Sequence, residues 1–571
     1  MENRRIAEVF EQIADILEIQ GENPFRIRSY RAAARAVADL PERLEDLQTD
    51  GRDFTDLPGI GESLAAKIHE ILESGTCAML EDLRKALPPH LPDLLGVKGL
   101  GPKKVKALFE QLGIASLDDL KAAAEAGKIR DLPGMGAKTE ENVLHGLATL
   151  AAEKGRISIQ AAAEQMDALG RHLEGIRAVW RWAPAGSLRR RRETIGDLDV
   201  LVVAADRARA AEAILAYGPI RETVGRGEEK VSVRLEGGVQ VDFRFVEADA
   251  FGAAQMYFTG SKAHNIVLRK RAQKKGLKLS EYGLFRGKRR IAGRTEEEVF
   301  RALGLDWISP ELREDRGEVG AAAAHALPRL LEPRDVKGDL HAHTDATDGA
   351  DTVEAMAQAA RARGYQYLAI TDHSRAVTVA HGLDEARLRR HADHIREVDA
   401  ATKGFRVLAG IEVDILKDGR LDLPEKVLAG LDWVVASVHS AFALEEAAMT
   451  DRILAAVRSG VVHCLGHPFG RLIGRRDPIR FDADRVFEAC REAKVCLEVS
   501  AHPDRLDLPD VYCKRARDLG ATMVISTDAH RRADLDLMVY GVGVARRGWL
   551  GKADVLNTLG TAAFLKRIRR G

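Results

Sequence analysis

The sequence predicts a multidomain protein with an all-helical N-terminal region, a mixed α/β centre and a parallel α/β barrel at the C terminus. Three observations predict it. A Gly-x-Gly turn recurs three times before residue 150, each time between helical stretches. Valine-rich, partly alternating runs follow between about 155 and 315. From about 336 onward, short apolar runs alternate with amphipathic helices, and seven of these runs lead to metal-capable side chains. At about 150 residues per domain, 571 residues suggest roughly four folding units.

Composition narrows the function. With 45% hydrophobic and 30% charged residues, the chain is ordinary globular material, which argues against long disorder. No apolar run approaches the roughly 20 residues of a membrane span. The first residues lead into an amphipathic pattern without a hydrophobic signal core, so a cytoplasmic protein without a membrane partner is expected. Lysine plus arginine and aspartate plus glutamate each number 87. Any affinity for nucleic acid must therefore come from local patches such as 189–192, 269–271, 274–275 and 288–290. The five cysteines form no C-x-x-C pair, which argues against a disulfide framework or a thiolate zinc site. Eleven of the 17 histidines lie between His341 and His530.

The helical region opens with apolar residues at helical spacing over 6–17 and an alanine-rich stretch over 31–40. Leu57-Pro58-Gly59-Ile60-Gly61, Val97-Lys98-Gly99-Leu100-Gly101 and Leu132-Pro133-Gly134-Met135-Gly136 follow, their first glycines 40 and 35 residues apart. A Gly-x-Gly turn entering a helix directs free backbone N–H groups outward, where they can hydrogen-bond a phosphate. Glycine is expected there for a positive φ and for close backbone approach. Such a contact reads phosphate and no base. One copy equally suits a plain helix–helix turn. Three copies resemble helix-hairpin-helix DNA-binding motifs, which makes Gly59, Gly61, Gly99, Gly101, Gly134 and Gly136 expected DNA contacts.

In the central region, Gly186-Ser187 precedes an arginine run and then Gly196-Asp197-Leu198-Asp199. Strands are expected over 198–204, 230–235 and 239–246. Period-2 alternation then puts Asp197 and Asp199 on one face, about 7 Å apart. Two such carboxylates can hold divalent metals for in-line phosphoryl transfer. Ser187 and Arg190 would contact a triphosphate, because arginine donates in a planar fork that matches phosphate. Asp242, in an apolar strand, supplies a third carboxylate that would be costly to bury without a cation. A lone Asp-x-Asp is explained as readily by a solvated strand edge; the surrounding constellation is what carries the reading.

This constellation resembles the family X DNA polymerases, the polymerase-beta-like nucleotidyltransferases, over about residues 1–315. The resemblance implies catalytic Asp197, Asp199 and Asp242 holding Mg²⁺ or Mn²⁺, and nucleotide contacts from Gly186, Ser187, Arg190 and Gly196. Tyr257-Phe258-Thr259-Gly260-Ser261 looks like the family's nucleotide-binding segment. It implies Tyr257 and Phe258 beside the incoming sugar, Gly260 among the nucleotide contacts, and Asn265 and Arg269 along the nascent base pair and template. On pattern alone, Tyr257 and Phe258 could be core residues. Lys67 matches the position of a lyase lysine found in some members; it reads equally as a phosphate-contacting surface lysine, with Ser63 at the nearby basic position.

Residues 311–333, rich in charge, alanine and proline, read as a linker. Beyond it the strand-like runs lead to His341 and His343, to Asp372 and His373, to Glu412, to His439, to His467, to Glu498, and to Asp528 and His530. In a parallel barrel, strand C-termini gather at one mouth, so these groups can converge. Imidazole and carboxylate donors suit zinc, manganese or iron, and two or three ions would activate water and clamp a phosphodiester. His391 and His394 lie in a charged helix and read as surface residues; His381 and His502 are ambiguous.

These residues resemble the PHP (polymerase and histidinol phosphatase) domain. The resemblance implies a distorted (β/α)7 barrel and up to three Zn²⁺, Mn²⁺ or Fe ions. Their ligands would be His341, His343, Asp348, His373, Glu412, His439, His467, Asp528 and His530, with Asp372 behind them. Ser500-Ala501-His502-Pro503 departs from the asparagines expected in that loop. The expected division is 1–75 and 76–154 (helical, with the first hairpin and with the other two), 155–255 (palm), 256–315 (nucleotide selection and thumb), 316–335 (linker) and 336–571 (PHP). The domain order resembles bacterial and archaeal members of family X. It implies a monomeric DNA-repair enzyme that fills gaps in gapped or nicked duplex DNA with dNTPs and removes 3′ nucleotides, some members also cutting abasic sites. The competing readings are a DNA-binding protein with an inactive polymerase core and a PHP phosphatase, or a small-molecule phosphatase carried by a DNA-binding region.

Overall fold

The structure is a computed structural model that describes residues 3–38, 44–49, 52–57, 60–85, 87–88, 90–97, 100–132, 134–153 and 156–569. It divides into two units, 1–154 and 155–571. Among the described residues, no helix is long and apolar enough to cross a membrane.

The first unit is helical. Ile6, Phe10, Ile13 and Leu17 recur at helical spacing on Asn3–Gln20 and bury against Tyr30, Ala33 and Val37 of Pro24–Ala38. Arg31 clasps that pair by reaching Glu11 at 2.8 Å, Asp15 at 2.8 Å and Glu18 at 2.7 Å. A second core gathers Leu94, Val105, Leu108, Leu120 and Val143.

The second unit begins with β1 (Ile157–Ser158), β2 (Val179–Pro184), β3 (Thr194–Ile195), β4 (Asp197–Ala204), β5 (Ile220–Arg226), β6 (Lys230–Leu235) and β7 (Gln240–Phe245). β1 pairs with β3, and the five-stranded sheet has the order β2-β4-β7-β6-β5. β4 and β7 are its parallel pair, and they start within one residue of the expected strands. Leu198, Val200 and Val202 of β4 and Val241 and Phe243 of β7 supply its core. A three-stranded sheet of β8 (Lys278–Ser280), β9 (Gly283–Arg286) and β10 (Arg289–Ala292) follows. It shares a core of Met256, Leu268, Leu284 and Phe300 with the neighbouring helices.

The expected linker is corrected here. Within 311–333, Glu311, Leu312, Arg313, Glu318, Val319, Ala322 and Leu331 are all buried, and Glu318–Ala323 is a helix. Its buried charged residues are paired: Glu318 Oε1 lies 2.6 Å from His264 Nδ1, and Glu311 Oε1 accepts from Arg546 at 2.7 Å. Arg313, 0% exposed, donates to Glu296 at 2.6 and 3.0 Å, and Arg189 reaches the same carboxylate at 2.7 and 2.8 Å. Burial opposes ionisation of Glu296, yet Arg313 and Arg189 hold it well below the usual carboxylate range. Its stabilisation is present above the unfolded pKa of about 4.3 and is lost as pH falls through the depressed folded value. Glu296→Gln is expected to destabilise the second unit by about 3–5 kcal/mol, because it strands a buried guanidinium. Denaturant melts of the wild type and the variant at pH 7 check this.

The remaining strands are β11 (Gly338–Asp339), β12 (Tyr367–Ile370), β13 (Arg406–Asp414), β14 (Trp433–Ser437), β15 (Cys464–Leu465), β16 (Cys496–Ser500) and β17 (Met523–Ser526). All seven are parallel and hydrogen-bonded in chain order. Nearly continuous apolar runs suit strands covered on both faces. A parallel bridge between Ala342 and Ala529 links the residues beyond the first and last strands, so the sheet curls into a barrel. All five cysteines are free and buried.

Candidate active sites

Two groups of side chains stand out in the second unit. In the first, parallel register sets Asp199 opposite Asp242, with Asp197 two residues earlier at the open end of β4. Asp197 is exposed and Asp199 half-buried. Burial, then the neighbouring Asp197 carboxylate, pushes Asp199 up to about 6. Burial also opposes ionisation of Asp242. Hydrogen bonds nevertheless hold it below the usual range: Lys230 stands 2.6 Å from its Oδ2, while Ser232 and Gln240 donate to Oδ1 at 2.7 and 3.0 Å. Gly186, at φ +62°, brings the helix Gly186–Arg189 against this cluster, and a Cβ there would strike the Asp199 carboxylate. Asp197 and Asp199 on β4 and Asp242 on β7 thus crowd three carboxylates together; Lys230 pairs with Asp242, and Arg244 reaches Asp199 and Asp242 only at 3.7 Å, so the cluster still offers oxygen donors to a cation.

Ser187 and Gly196 are half-buried at the cluster's edge. Arg190 donates from Nε to Glu314 at 3.0 Å and from Nη1 to the Thr259 carbonyl. Gly260, at φ +64°, ends the helix Phe251–Thr259. Tyr257 and Phe258 are half-buried, edge to face at 5.1 Å, and not wholly in the core. Arg269 lies over Tyr257 at 5.2 Å and Arg244 over Phe258 at 4.3 Å. Asn265 donates to the Tyr257 carbonyl at 2.7 Å, and its buried Oδ1 has no hydrogen-bond partner among the described residues.

The second group lies where the barrel strands end. Three sets of donors converge, each within 4.8 Å: His343, Asp348, His373 and His530; His341, His343 and Asp528; and His373, Glu412 and His439. Glu412 is central. Its Oε1 lies 3.0 Å from His467 and 3.3 Å from His439, and its Oε2 lies 2.8 Å from His373. The residues fit bound cations: among the described residues, buried His341 Nε2, His343 Nδ1, His373 Nδ1 and both Glu412 oxygens face one another without a well-aligned hydrogen bond, even where they approach to 2.8–3.0 Å. Burial, then the charges of His530 and His373, holds His343 down to about 4, leaving it neutral, the ligating form. Burial opposes charging of His373, but Glu412 and Asp348 push it up to about 10, so the carboxylates draw positive charge into this space.

Behind the donors, Asp372 accepts from Thr344 N at 2.8 Å and Thr344 Oγ1 at 2.6 Å and falls in none of the three sets. His391 corrects the surface reading: its Nε2 lies 2.8 Å from Asp372, and its side chain is almost buried. The helical periodicity of 385–401 carried the signal, since His391 shares a face with buried Leu388 and Ile395. Glu498, read from the sequence as a metal-capable strand-end residue, falls in none of the three sets; it lies 2.7 Å from His341 Nδ1 and accepts from His467 N at 2.6 Å. Asp414 does the same for His439 Nδ1 at 3.0 Å. Such outer carboxylates fix ring orientation. His394 meets Glu354 at 3.2 Å, His381 is exposed, and His502 Nδ1 accepts from Asp504 N at 3.3 Å.

In the first unit, Gly59 and Gly99 lie outside the described residues. Of the others named, Gly134 has a positive φ of +78°, whereas Gly61 and Gly101 are extended at −93°. The positive-φ explanation therefore fails for these two. Close approach remains: a Cβ at Gly61, Gly101, Gly134 or Gly136 would meet nothing within 4 Å, which is open space for a ligand. Lys67 donates to Ser63 O and Oγ, both at 3.1 Å.

Four stretches of the chain match known protein families. Residues 1–77 match a helix-hairpin-helix domain, 91–149 a SAM-like helix-hairpin-helix tandem, 254–314 the DNA polymerase beta thumb and 339–502 the PHP domain. The chain is 38% identical over 575 residues to the DNA polymerase/3′-5′ exonuclease PolX of Bacillus subtilis (strain 168), covering 99% of this chain and 100% of that protein. The chain belongs to the family X DNA polymerases that carry a PHP domain. Rat DNA polymerase lambda is 27% identical over 345 residues, covering 55% of this chain and 56% of its own. A probable phosphatase of Thermoanaerobacter sp. (strain X514) is 27% identical over 232 residues, 38% of this chain and 89% of that protein. This family X member thus combines a polymerase-beta-like region with a PHP domain holding metal-capable donor sets suited to phosphoester chemistry.

Proposed function

We propose that the protein is a DNA-repair enzyme with two independent reactions, template-directed gap filling in the polymerase-beta-like region and metal-dependent 3′–5′ nucleotide removal in a distorted (β/α)7 PHP barrel. The observation that carries the reading is that the chain holds both clusters at once: Asp197, Asp199 and Asp242 on adjacent parallel strands, and the donor sets around Glu412.

In gap filling, Asp197 and Asp199 would hold Mg²⁺ or Mn²⁺, with Asp242 completing the set. When bound, such ions neutralise the phosphates and the attacking oxygen. The primer 3′-oxygen forms its bond to the α-phosphorus as the bond to pyrophosphate breaks. Asp242 assists by drawing the 3′-hydroxyl proton, and Lys230 must turn away from its Oδ2 for that. Gly186, Ser187, Arg190 and Gly196 would cradle the triphosphate. Tyr257 and Phe258 would border the sugar and Gly260 would contact the nucleotide, with Asn265 and Arg269 along the base pair. Gly61, Gly101, Gly134 and Gly136 would admit duplex phosphates to the backbone, and Lys67 would add a phosphate contact.

In nucleotide removal, His341, His343, Asp348, His373, Glu412, His439, His467, Asp528 and His530 would hold up to three Zn²⁺, Mn²⁺ or Fe ions. Bound there, the ions would activate water and polarise the phosphodiester. Glu498 and Asp414 keep the His341 and His439 rings aimed, while the Asp372–His391 pair braces Thr344, the residue after His343.

A 5′-labelled primer in a single-nucleotide gap, incubated with Mn²⁺ with and without dNTPs, tests the proposal. Extension by one nucleotide with dNTPs and stepwise shortening without them is the expected result. The likeness of the C-terminal region to a probable phosphatase supports a second reading, a monoester phosphatase with an inactive polymerase core. Phosphate release from a generic monoester, with neither extension nor shortening of the primer, would favour it.

A further inference from the structure

The helix Met538–Arg547 follows β17 and belongs to the barrel, yet its last residue reaches the nucleotide-binding arginine of the polymerase-like region. The Arg547 side chain is only 3% exposed. Its Nη1 donates to the Arg190 carbonyl at 2.7 Å and to Glu314 Oε1 at 2.9 Å, and its Nη2 stands 2.7 Å from Asp510. Glu314 Oε1 is the same atom that accepts from Arg190 Nε at 3.0 Å. Arg190 Nη1 is taken by the Thr259 carbonyl. Two of the three guanidinium nitrogens of Arg190 are therefore tied, which fixes its plane. Nη2 is left without a protein hydrogen bond among the described residues. One helical turn before Arg547, a Cβ at Gly543 would lie 3.4 Å from the Arg191 side chain, so the helix backbone presses directly on this arginine run.

We propose that Arg547 is a positioning residue for gap filling: from the PHP barrel it anchors Glu314 and the Arg190 main chain, so that Arg190 presents Nη2 to the nucleotide triphosphate. The proposal rests on the polymerase reading above. A lysine at 547 has three donors but on a single nitrogen, so it cannot serve the Arg190 carbonyl and Glu314 on the Nη1 side and Asp510 on the Nη2 side together. Glu314, shared by two arginines, is the joint through which the barrel acts.

The test uses the full chain with Arg547→Met, Arg547→Lys and Glu314→Gln. Single-nucleotide gap filling is measured over dNTP and DNA concentrations, and nucleotide removal without dNTPs is measured on the same preparations. The expected result for Arg547→Met is a rise of about tenfold in KM for dNTP, from loss of a charge-assisted contact chain. KM for gapped DNA and the rate of nucleotide removal should hardly change, and Arg547→Lys should fall between. Glu314→Gln should raise KM for dNTP while leaving removal intact, which covers the case of an Arg547 variant that does not fold. If the wild type fills gaps and both sites can be changed without moving KM for dNTP, the proposal is overturned and the polymerase reading stands. Equal loss of both reactions with lowered melting temperature would also overturn it, reducing Arg547 to an interface strut. A wild type that removes nucleotides but never extends would overturn the polymerase reading and this proposal with it.

Discussion

Asp199→Asn is expected to lower gap filling by roughly 10³-fold or more while leaving nucleotide removal at the wild-type rate. The loss follows from the electrostatics of phosphoryl transfer, in which the cations that Asp197 and Asp199 would hold stabilise charge on the transferring group. The retained activity follows from the separate donor sets, since none includes a residue of β4 or β7. Asn is nearly isosteric, so the fold should survive, and stability should change in the opposite direction to activity. Burial and Asp197 raise the Asp199 pKa to about 6, above the unfolded value of about 3.9. The ionised carboxylate therefore costs stability, a cost absent below the unfolded pKa and complete once pH exceeds the folded one. At pH 8, in metal-free protein, Asp199→Asn should be more stable than wild type by on the order of 2 kcal/mol. A rate assay on gapped DNA and a denaturant melt at pH 8 measure both. Loss of nucleotide removal in the folded variant would show that the two reactions are coupled.

Glu412→Gln is expected to have the opposite selectivity. Glu412 is 1% exposed and lies within 3.3 Å of His373, His439 and His467. Replacing it leaves those imidazoles facing an amide, which removes a negative charge and adds two donors where acceptors are needed. Metal retention and nucleotide removal should each fall by at least about 100-fold, more than for loss of an outer partner. Gap filling should persist. Elemental analysis of the dialysed variant reads the first effect and the labelled-primer assay the second. Retention of the wild-type metal complement would remove Glu412 from the ligand set.

The residues easiest to place from the sequence are those whose position follows from local periodicity. Asp197 and Asp199 share a face because a strand alternates, and Asp242 stood out as an acid in an apolar run. The barrel donors were legible for a related reason. Each ends or follows a buried strand, and closure brings strand ends together without any sequence proximity. What escaped was non-local pairing. Glu311, Arg313 and Glu318 look like solvated linker charges, and only Arg546, Glu296 and His264, distant in sequence, make their burial possible. His391 escaped similarly, because its partner Asp372 lies on a strand end. Gly61 and Gly101 show a milder failure, in which glycine was expected but for the wrong reason: their backbone is extended, and what matters is the space left open.

The five buried thiols have a practical corollary. Burial pushes Cys77, Cys464, Cys490 and Cys513 up from the ordinary thiol pKa, which starves them of the thiolate that alkylating dyes attack. A maleimide added to the native protein should find little to react with. A single cysteine introduced at an exposed position in each unit would then be a clean attachment point for a fluorophore pair. The natural sequence thus serves as its own silent background for single-molecule measurement, with no need to strip cysteines from the barrel core.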